Sequence, residues 1–358
     1  MKILIVNPGS TSTKMGLYDG EALVFEHTLR HEMSELAPFG AVANQYDFRM
    51  QIIAKELENR GIKPEELSSV VGMGGLLAPL DGGTYLVNDT MVADLKSGKY
   101  GEHASNLGGL IARALADAAS IPAYIVDPVV VDEMEDIFRI SGHPKLARRS
   151  VFHALNHKAT ARKYCAERGK KYNEVNLIVV HMGGGISVAL HSNGRAIDTN
   201  NALGGCGPFT PERSGGLPAG DLAALCFSGD YSHDEVKAML VGKGGMAAYF
   251  GTNSMLDIEN RAKNEPEVKL VMEAMALQIA KEIATMAASA AGQVEAILLT
   301  GGIARAKPIT DEVARRISFI APVHIYPGED ELAALAGGAL RVLRGEEEAK
   351  IYEGLADE

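Results

Sequence analysis

The sequence predicts an α/β protein made of two similar halves, and two observations lead to this prediction. Apolar strands alternate with helical stretches along the 358 residues, which is the pattern of an α/β fold. A strand, a small-residue turn and a second strand open the chain, and the same succession returns 174 residues later. Such a repeat indicates a duplicated architecture. The alternative is a coincidental likeness between two hairpins, and the agreement of the turns as well as the strands favours duplication.

The predicted elements follow the repeat in order. Gly9 and Gly183 occupy equivalent places in the two turns, and Gly20 and Gly194 do so in the hairpin turns that follow. The strand, turn and strand of the first half lie at 3–6, 7–14 and 15–18, and those of the second half at 177–180, 181–187 and 188–190. Apolar runs predict a further strand at 296–299 and helices at 47–60, 104–119, 153–168, 221–228, 268–291 and 331–352, with another from about 308.

Length and composition fit a globular protein of about two domains, at the usual ~150 residues per domain. Apolar residues make up 46% of the chain and charged residues 23%. The 39 glycines are an excess over the usual share of about 7%. Ten of them fall within residues 181–220, so the glycine is concentrated where a long loop is expected. The segment 141–150, with one proline and a pair of arginines, is the predicted crossing between domains.

The net charge of −11 argues against nucleic acid and anionic membranes as partners, because both require a basic surface. It leaves room for a phosphate site built from local donors. The three cysteines, Cys165, Cys206 and Cys226, contain no CxxC pair and indicate reduced thiols in the cytoplasm. The N-terminus is unlike a signal peptide, and charged residues interrupt the most apolar helix, at 268–291.

The first turn carries a set of phosphate-binding candidates. Ser10, Ser12 and Lys14 alternate along the chain, and residues two apart face the same side of an extended backbone. Two hydroxyls and one cation on one face suit a phosphoryl group, with Asn7 as a further donor. An ordinary polar turn explains the composition equally well.

The second turn begins at His181 and leads into the glycine-rich region. Glycines allow a backbone to approach an anion closely. Arg213 is the one arginine of the loop 207–218, where small neighbours leave it able to hold a planar anion with two hydrogen bonds. The competing interpretation is a salt bridge that anchors the loop, with Glu212 or Asp221 as partner.

These motifs together resemble those of the acetate and butyrate kinase family. That family shares the fold of actin, the sugar kinases and the heat-shock chaperone ATPases, so the resemblance implies two duplicated ribonuclease-H-like domains that flank an ATP cleft. It implies domains at 1–150 plus 332–358, with a returning C-terminal helix, and at 151–331. The two turns supply NPGSTSTK at 7–14 and HMGGGIS at 181–187, and the butyrate kinase branch is indicated by FHALNHKA at 152–159, IDTNNALGG at 197–205, GPFTPERSGGLP at 207–218, LTGGIA at 299–304 and YPGEDELAALAGGALRVLRGEEEAK at 326–350.

The resemblance implies transfer of the γ-phosphoryl group of ATP to the carboxylate of a short-chain fatty acid, butyrate or a branched analogue. Arg213 is expected to stabilise the phosphoryl group and His153 to contact it from another side. His181 and Asn7 are expected near the β- and γ-phosphates. Contacts with phosphate or nucleotide are implied for Ser10, Ser12, Lys14, Gly183, Gly184, Gly185, Gly301, Gly302 and Asn253, and contacts with the acid for Met73, Pro208 and Phe209.

The resemblance also implies Mg²⁺, held by Asp127 and Glu331 directly or through water, since oxygen ligands are what this ion prefers. From the residues alone, Asp127 before Pro128 could simply form a turn. His157 lies four residues after His153, so both could share one helix face. A homodimer or a larger homo-oligomer is expected from the family.

Four positions depart from the family pattern. Met73 stands where an arginine near the substrate carboxylate is expected, and Gly204, Cys206 and Ser254 stand where acids are expected. The departures leave an alternative open: a nucleotide-binding homologue with altered acid specificity or reduced catalysis. Another kinase or ATPase of the same fold is a third possibility, which the arginine loop and the chain length argue against.

Overall fold

The computed structural model describes residues 1–355. Within them the strands, in chain order, are β1 (Lys2–Pro8), β2 (Ser12–Asp19), β3 (Ala22–Arg30), β4 (Ser69–Gly72), β5 (Thr84–Leu86), β6 (Ala123–Val126), β7 (Leu177–Met182), β8 (Ile186–Ser192), β9 (Arg195–Thr199), β10 (Ala296–Gly301), β11 (Val323–Pro327) and β12 (Lys350–Ile351).

The helices alternate with these strands, as the sequence predicts. Short 3₁₀ turns occur between them. The α-helices of residues 1–355 are α1 (Met33–Leu36), α2 (Tyr46–Asn59), α3 (Asp89–Ser97), α4 (Asn106–Ala119), α5 (Asp136–Arg139), α6 (Ala154–Glu167), α7 (Ala219–Cys226), α8 (His233–Leu240), α9 (Gly245–Phe250), α10 (Met255–Ala262), α11 (Pro266–Ser289), α12 (Lys307–Ile317) and α13 (Glu331–Leu343).

Packing divides the chain into two units. The first consists of Met1–Val131 and the chain from Asp330 onward, and the second of Asp132–Glu329. The sequence-based division at 150/151 therefore differs from the packing boundary, although as a domain definition it remains a prediction. The reason lies in Glu133, whose carboxylate binds Lys158 at 2.9 Å and accepts from the backbone N–H of Ala196 at 2.7 Å. These bonds attach the segment after Val131 to the second unit.

The first unit is a seven-stranded mixed sheet in the order β12-β5-β6-β4-β1-β2-β3. Strands β1, β2 and β3 form an antiparallel meander, and β4 lies parallel to β1 on its other side. Residues 3–6 of β1 are fully buried, because α4 and α13 both contact this strand. A strand covered on both faces has a continuous apolar sequence, and this explains the run Ile-Leu-Ile-Val at residues 3–6.

The second unit repeats this arrangement with five strands in the order β11-β10-β7-β8-β9. Side chains of β7 alternate between two buried clusters. Ile178 and Val180 face the cluster formed with α11 and α12, whereas Leu177 and Val179 face the cluster formed with α6. Helix α11 runs for 24 residues from Pro266 and buries residues spaced three or four apart, so one stripe of it covers the sheet.

The two units share their strand order and also a local irregularity, which confirms the predicted duplicated α/β fold. Pairing with the third strand shifts between Leu17 and Tyr18 in the first unit and between Leu190 and His191 in the second. These bulges are 173 residues apart rather than 174, because four residues separate the innermost pair of β1 and β2, Pro8 and Thr13, whereas three separate the innermost pair of β7 and β8, Met182 and Ile186. Gly20 consequently corresponds to Asn193, not to Gly194, and both Gly20 and Asn193 have positive φ.

Two predicted boundaries need correction. The polar turn expected at 7–14 is only residues 9–11, since β1 continues to Pro8 and β2 already begins at Ser12. The helix expected at 331–352 ends at Leu343, because Gly345 adopts a φ of 73° shortly afterwards. The strands β3, β4, β5, β6, β9, β11 and β12 were not predicted. Among residues 1–355, no helix is both long and apolar enough to span a membrane.

Candidate active site

The second unit holds Arg213 directly over the glycine turn that follows β7. A Cβ atom at Gly185 would fall on Nη1 of Arg213 and would lie 3.2 Å from Cε1 of His153. Glycine is therefore required here for space. Nη1 of Arg213 donates to the carbonyl of Ala202 at 2.6 Å. Its buried Nε has no hydrogen-bond partner among the described residues, so the guanidinium retains donor capacity.

The hydroxyl of Thr210 fixes the arginine loop to the glycine turn. It donates to the carbonyl of Gly184 at 2.7 Å and accepts from the backbone N–H of Arg213 at 3.0 Å and of Glu212 at 3.2 Å. The backbone N–H of Gly183 closes the turn by donating to the carbonyl of Gly185 at 2.9 Å. The predicted residues Arg213, Gly183, Gly184 and Gly185 are thus brought together by one threonine.

His153 and His181 stack face to face beside this turn. Their ring centroids are 3.9 Å apart and the rings are nearly parallel, at 15°. Burial, with the charge of Arg213 nearby, lowers the pKa of His153 to about 4. Burial and the neighbouring His153 hold the pKa of His181 well below its usual value. Both rings are therefore neutral at pH 7, which allows two imidazoles to stack without charge repulsion.

His181 is the penultimate residue of β7, and one of its ring nitrogens is hydrogen-bonded. Its Nδ1 lies 2.9 Å from Oδ1 of Asn156, an acceptor, so Nδ1 carries the proton of the neutral ring. Its Nε2 lies 3.5 Å from Oε2 of Glu329, which follows β11. In the parallel ladder His181 is paired with Thr300 at the end of β10. The carboxyl ends of β7, β10 and β11 thus share one sheet edge, where α/β proteins commonly bind ligands.

Gly301 and Gly302 also lie at this edge. Gly301 has a φ of 88°, and a Cβ there would lie 2.7 Å from the backbone nitrogen of Met182. Neither the dihedral angle nor the space suits another residue. Its N–H and C=O exchange hydrogen bonds with Gly328, at 3.1 and 2.9 Å. Gly302 begins a 3₁₀ turn with open space around its Cα.

Asn253 is an exposed residue whose Nδ2 donates to Oε2 of Glu212 at 3.1 Å, next to the arginine loop. Its neighbour Ser254 is the N-cap of α10, where Oγ accepts from the N–H of Asp257 at 3.4 Å. Serine and aspartate are both good N-caps, so the departure at 254 preserves the helix start.

Pro208 and Phe209, predicted to contact the acid, are both buried. Phe209 belongs to the core cluster beneath α11 and contributes to packing. Gly204 and Cys206 are exposed, and the N–H of Gly204 donates to Oδ1 of Asn201 at 2.8 Å. The three cysteines are free thiols.

In the first unit, Arg49 contacts the turn after β1 from the interior of the protein, and its side chain is fully buried. Its guanidinium donates to the carbonyls of Gly9 at 2.9 Å, Ser10 at 3.3 Å and Ser12 at 2.8 Å. Three carbonyls are thereby directed toward the interior. Ser12 and Lys14 lie on one face of β2, as predicted, whereas Ser10 is in the turn and exposed.

Asn7, Lys14 and Glu331 form a second group in the first unit. Nδ2 of Asn7 donates to Oε2 of Glu331 at 2.6 Å. Asn7 and Lys14 are paired across β1 and β2. Burial raises the pKa of the Glu331 carboxyl, while Lys14 and the bond from Asn7 oppose that rise. Glu331 is also the first residue of α13, whose N-terminus favours negative charge.

Asp127 and Met73 lie at the carboxyl edge of the parallel strands of the first unit, where β6 and β4 end, as Asn7 does near the end of β1. Asp127 is buried with a φ of 39°, and its Oδ1 accepts from the N–H of Gly83 at 2.7 Å. Met73 is half-buried. The described residues contain no group of three or more His, Cys, Asp or Glu side chains able to hold a metal ion.

The model of the acetokinase family matches residues 142–325. Butyrate kinase 2 of Clostridium acetobutylicum is 54% identical over 353 residues, which is 98% of this chain and 99% of that protein. A probable butyrate kinase of Listeria innocua is 51% identical over 352 residues, 98% of this chain and 99% of that protein. The chain belongs to the acetokinase family.

Solved acetokinase structures agree with the fold. Porphyromonas gingivalis acetate kinase superposes with a TM-score of 0.78 at 18% identity, over 96% of this chain and 99% of that one. Entamoeba histolytica acetate kinase gives 0.74 at 15% identity, over 94% and 98%. A propionate kinase from Francisella tularensis gives 0.72 at 16% identity, over 94% and 98%.

Several residues of this acetokinase that support the site escaped the sequence analysis. Arg49 and Thr210 gave no signal, because their roles depend on backbone groups remote in sequence. Ser187 was assigned to the turn at 181–187, and His191 follows the predicted strand at 188–190, whereas both residues belong to β8. From the sequence, His157 was considered only as a neighbour of His153 on one helix face. His153 is the N-cap of α6 and His157 lies within that helix; their rings meet at Oγ of Ser187, at 2.9 and 2.8 Å.

Proposed function

We propose that this acetokinase transfers the γ-phosphoryl group of ATP to the carboxylate of a short-chain fatty acid, butyrate or a branched analogue, reversibly giving an acyl phosphate and ADP. The observation that carries the proposal is the guanidinium of Arg213, held over a glycine turn beside the neutral His153. Full-length identity above 50% to butyrate kinases supports the choice of acid. Neither the described residues nor the comparisons support a homologue with reduced catalysis.

The chemistry needs charge neutralisation more than proton transfer. A short fatty acid has a pKa near that of glutamate, about 4.3, so it is ionised at neutral pH and is already a nucleophile. The barrier arises from bringing it toward an anionic phosphoryl group. A fixed guanidinium with spare donors lowers that barrier most effectively when charge spreads over the phosphoryl oxygens. His153 would supply a neutral donor from a second direction.

The remaining predicted residues keep their proposed roles. In the second unit, the backbone of the glycine turn and His181 would bind the phosphates. Gly301, Gly302 and Asn253 would contact the nucleotide. Pro208, Phe209 and Met73 are proposed on the side of the acid. In the first unit, Asn7, Ser10, Ser12 and Lys14 would bind phosphate oxygens.

Mg²⁺ is proposed as the ion that accompanies ATP. The half-buried Glu331 carboxylate, hydrogen-bonded by Asn7 and poorly solvated, is a donor of the kind this ion accepts, and Asp127 supplies a second carboxylate at the same sheet edge. When bound, the ion would neutralise charge on the phosphates. The two carboxylates would orient it.

The proposal is tested by acyl hydroxamate formation from ATP, Mg²⁺, hydroxylamine and a panel of acids from acetate to isovalerate. We expect the strongest signal with butyrate or a branched acid. Arg213→Ala should lower kcat by about 10³-fold, and Arg213→Lys should recover little, because an ammonium lacks the planar fork. Arg315→Ala, an exposed arginine of the same unit, is the matched control and should keep full activity. Absence of signal with every acid would overturn the proposal.

We also propose that the protein is cytoplasmic and forms a homodimer or a larger homo-oligomer. The free thiols and the acidic net charge support a reducing compartment and a partner set without nucleic acid or membrane. Light scattering of the purified protein measures its mass, and a value of 38.0 kDa would exclude a stable oligomer.

A further inference from the structure

Behind His153, a continuous line of hydrogen bonds crosses the second unit; we name its members Tyr172, His191, His157 and Ser187 the histidine relay. Oη of Tyr172 lies 2.6 Å from Nδ1 of His191. Nε2 of His191 lies 3.3 Å from Nδ1 of His157. Nε2 of His157 lies 2.8 Å from Oγ of Ser187, which lies 2.9 Å from Nδ1 of His153. Each ring in the line uses both of its nitrogens.

The interior of the relay is dry and uncharged. His157, His191 and Ser187 have no exposed surface. Burial holds the pKa of both histidines well below the usual value, with the neighbouring histidines adding to the effect at His157 and the charges of Lys158 and Arg162 adding to it at His191. A neutral imidazole has one N–H donor and one bare nitrogen acceptor, and a hydroxyl has a single proton to donate. A hydroxyl oxygen can accept two hydrogen bonds, but if Ser187 accepted from both rings, its own proton would have no acceptor among the described residues. Every donor is satisfied only when donation runs in one direction along the line.

Two arrangements satisfy every donor of the line. If Tyr172 donates to His191, each member passes a hydrogen bond onward and Ser187 donates to Nδ1 of His153, which leaves a proton on Nε2 of His153. If donation runs the other way, His153 donates from Nδ1 and presents a bare Nε2. The two arrangements give the residue beside Arg213 opposite properties, since one offers a donor to an anion and the other a lone pair that repels it.

The chemistry at Tyr172 favours the first arrangement. A phenol O–H is a strong donor, and a bare imidazole nitrogen is a stronger acceptor than a phenol oxygen. Two cations, the Nζ of Lys158 and the Cζ of Arg162, lie 5.8 and 5.4 Å from the centroid of its ring. A positive charge over the face of the ring draws electron density from the phenol oxygen, which makes that oxygen a weaker acceptor and its O–H a better donor.

We propose that the histidine relay is a positioning device in which Tyr172 fixes the neutral tautomer of His153, so that Nε2–H is available to an anionic oxygen of the substrate. Its catalytic relevance rests on the proposed function, whereas the tautomer itself does not. A purely structural set of buried histidines needs only satisfied nitrogens, and either direction would satisfy them. A preferred direction transmitted from Tyr172 to His153 is what distinguishes a positioning role.

The experiment is two-bond ¹H–¹⁵N correlation NMR on the full-length, unliganded protein with ¹⁵N-labelled histidine. The signal of His153 is identified by its loss in His153→Gln. We expect the Nε2–H tautomer in the wild type. Tyr172→Phe removes the terminal donor and should convert His153 to a mixture of tautomers, while Tyr164→Phe, which removes another hydroxyl of this unit, bonded at 3.2 Å to Glu295, should not.

Three results would overturn the proposal: an Nδ1–H tautomer of His153 in the wild type, an unchanged tautomer in Tyr172→Phe, or the same change in Tyr164→Phe. Ser187→Ala interrupts the line next to His153 and provides a second variant with the same expected mixture. In the hydroxamate assay, Tyr172→Phe should lower kcat about five- to tenfold with little change in KM for ATP. A wild type without kinase activity would overturn the proposed function and leave the tautomer measurement to decide the relay.

Discussion

The guanidinium of Arg49 donates to the carbonyl of Gly9 across 2.9 Å, although the two residues are 40 positions apart and Arg49 is completely buried. The same side chain binds the carbonyls of Ser10 and Ser12. A cation in the interior thus determines which way the peptide groups of an exposed turn point. The shape of the candidate phosphate turn depends on α2, which carries Arg49, as much as on its own glycine and serines.

Replacement of Arg49 should weaken both stability and nucleotide binding. Arg49→Met removes the donor of three part-buried carbonyls, and an unsatisfied buried acceptor costs about 1–3 kcal/mol, so we expect a loss of about 2 kcal/mol in the free energy of unfolding. KM for ATP should rise more than kcat falls, because the turn and not the reacting group is disturbed. Urea denaturation and steady-state kinetics measure the two effects. Unchanged KM in a folded variant would contradict this role.

Gly185→Ala should displace Arg213 without unfolding the protein. The added Cβ would fall on the guanidinium, which must move, and a misplaced charge at the reacting group costs about 10²-fold in rate. Gly220→Ala is the matched control, since nothing lies within 4 Å of a Cβ there. Hydroxamate assays and thermal melts of both variants check the expectation. Full activity of Gly185→Ala would show that this position of Arg213 is dispensable.

Stability should decline as the pH falls from about 6.5 toward 4. Burial lowers the pKa of His153 to about 4 and keeps the pKa values of His157, His181 and His191 well below 6.5. In this window the unfolded chain binds protons that the folded chain excludes, so acidification favours unfolding. Each such histidine contributes up to about 1.4 kcal/mol per pH unit. Urea midpoints measured from pH 8 to 5 should fall steeply below 6.5, and a flat profile would contradict neutral burial.

The ion pair of Lys158 and Glu133 is almost inaccessible to water, at 2% and 4% exposure. Lys158→Met removes the ammonium group that is bound to the buried Glu133 carboxylate and should cost about 3–5 kcal/mol. The double variant Lys158→Met, Glu133→Gln should be more stable than this single variant, because glutamine still accepts from Ala196. Lys307→Met, which breaks an exposed i,i+4 pair with Asp311, should cost under about 1 kcal/mol. Equal losses in the single and double variants would argue against a penalty from the buried negative charge of Glu133.

Much of the architecture could be predicted from the sequence. Apolar runs such as 3–6 and 177–180 mark strands covered on both faces, and the repeated turns reveal the duplication. Strand β3 was not predicted, although residues 22–25 are apolar, and all of its residues are exposed or half-buried. The turn length was overestimated because Ser12 and Lys14 are polar, although they belong to β2.

The candidate site was predictable to the extent that its chemistry is local. Arg213 and the glycine turn could be identified from the local composition of the sequence. The residues that hold them, Thr210 and Arg49, act on backbone atoms brought near by folding, and no spacing in the sequence encodes such contacts. Likewise the relay joins positions 153, 157, 172, 187 and 191 by strand pairing and helix packing, which the sequence alone does not place in register.

The matching bulges of β2 and β8 carry information about descent. In each unit the irregularity lies at the same position of the ladder between the second and third strands. The simplest explanation is inheritance from a single ancestral unit that already possessed it. The turn between the first two strands differs by one residue, so it changed after the gene segment doubled. The sheet irregularity is therefore older than the difference between the two turns, and the halves specialised by altering their loops while keeping a common frame.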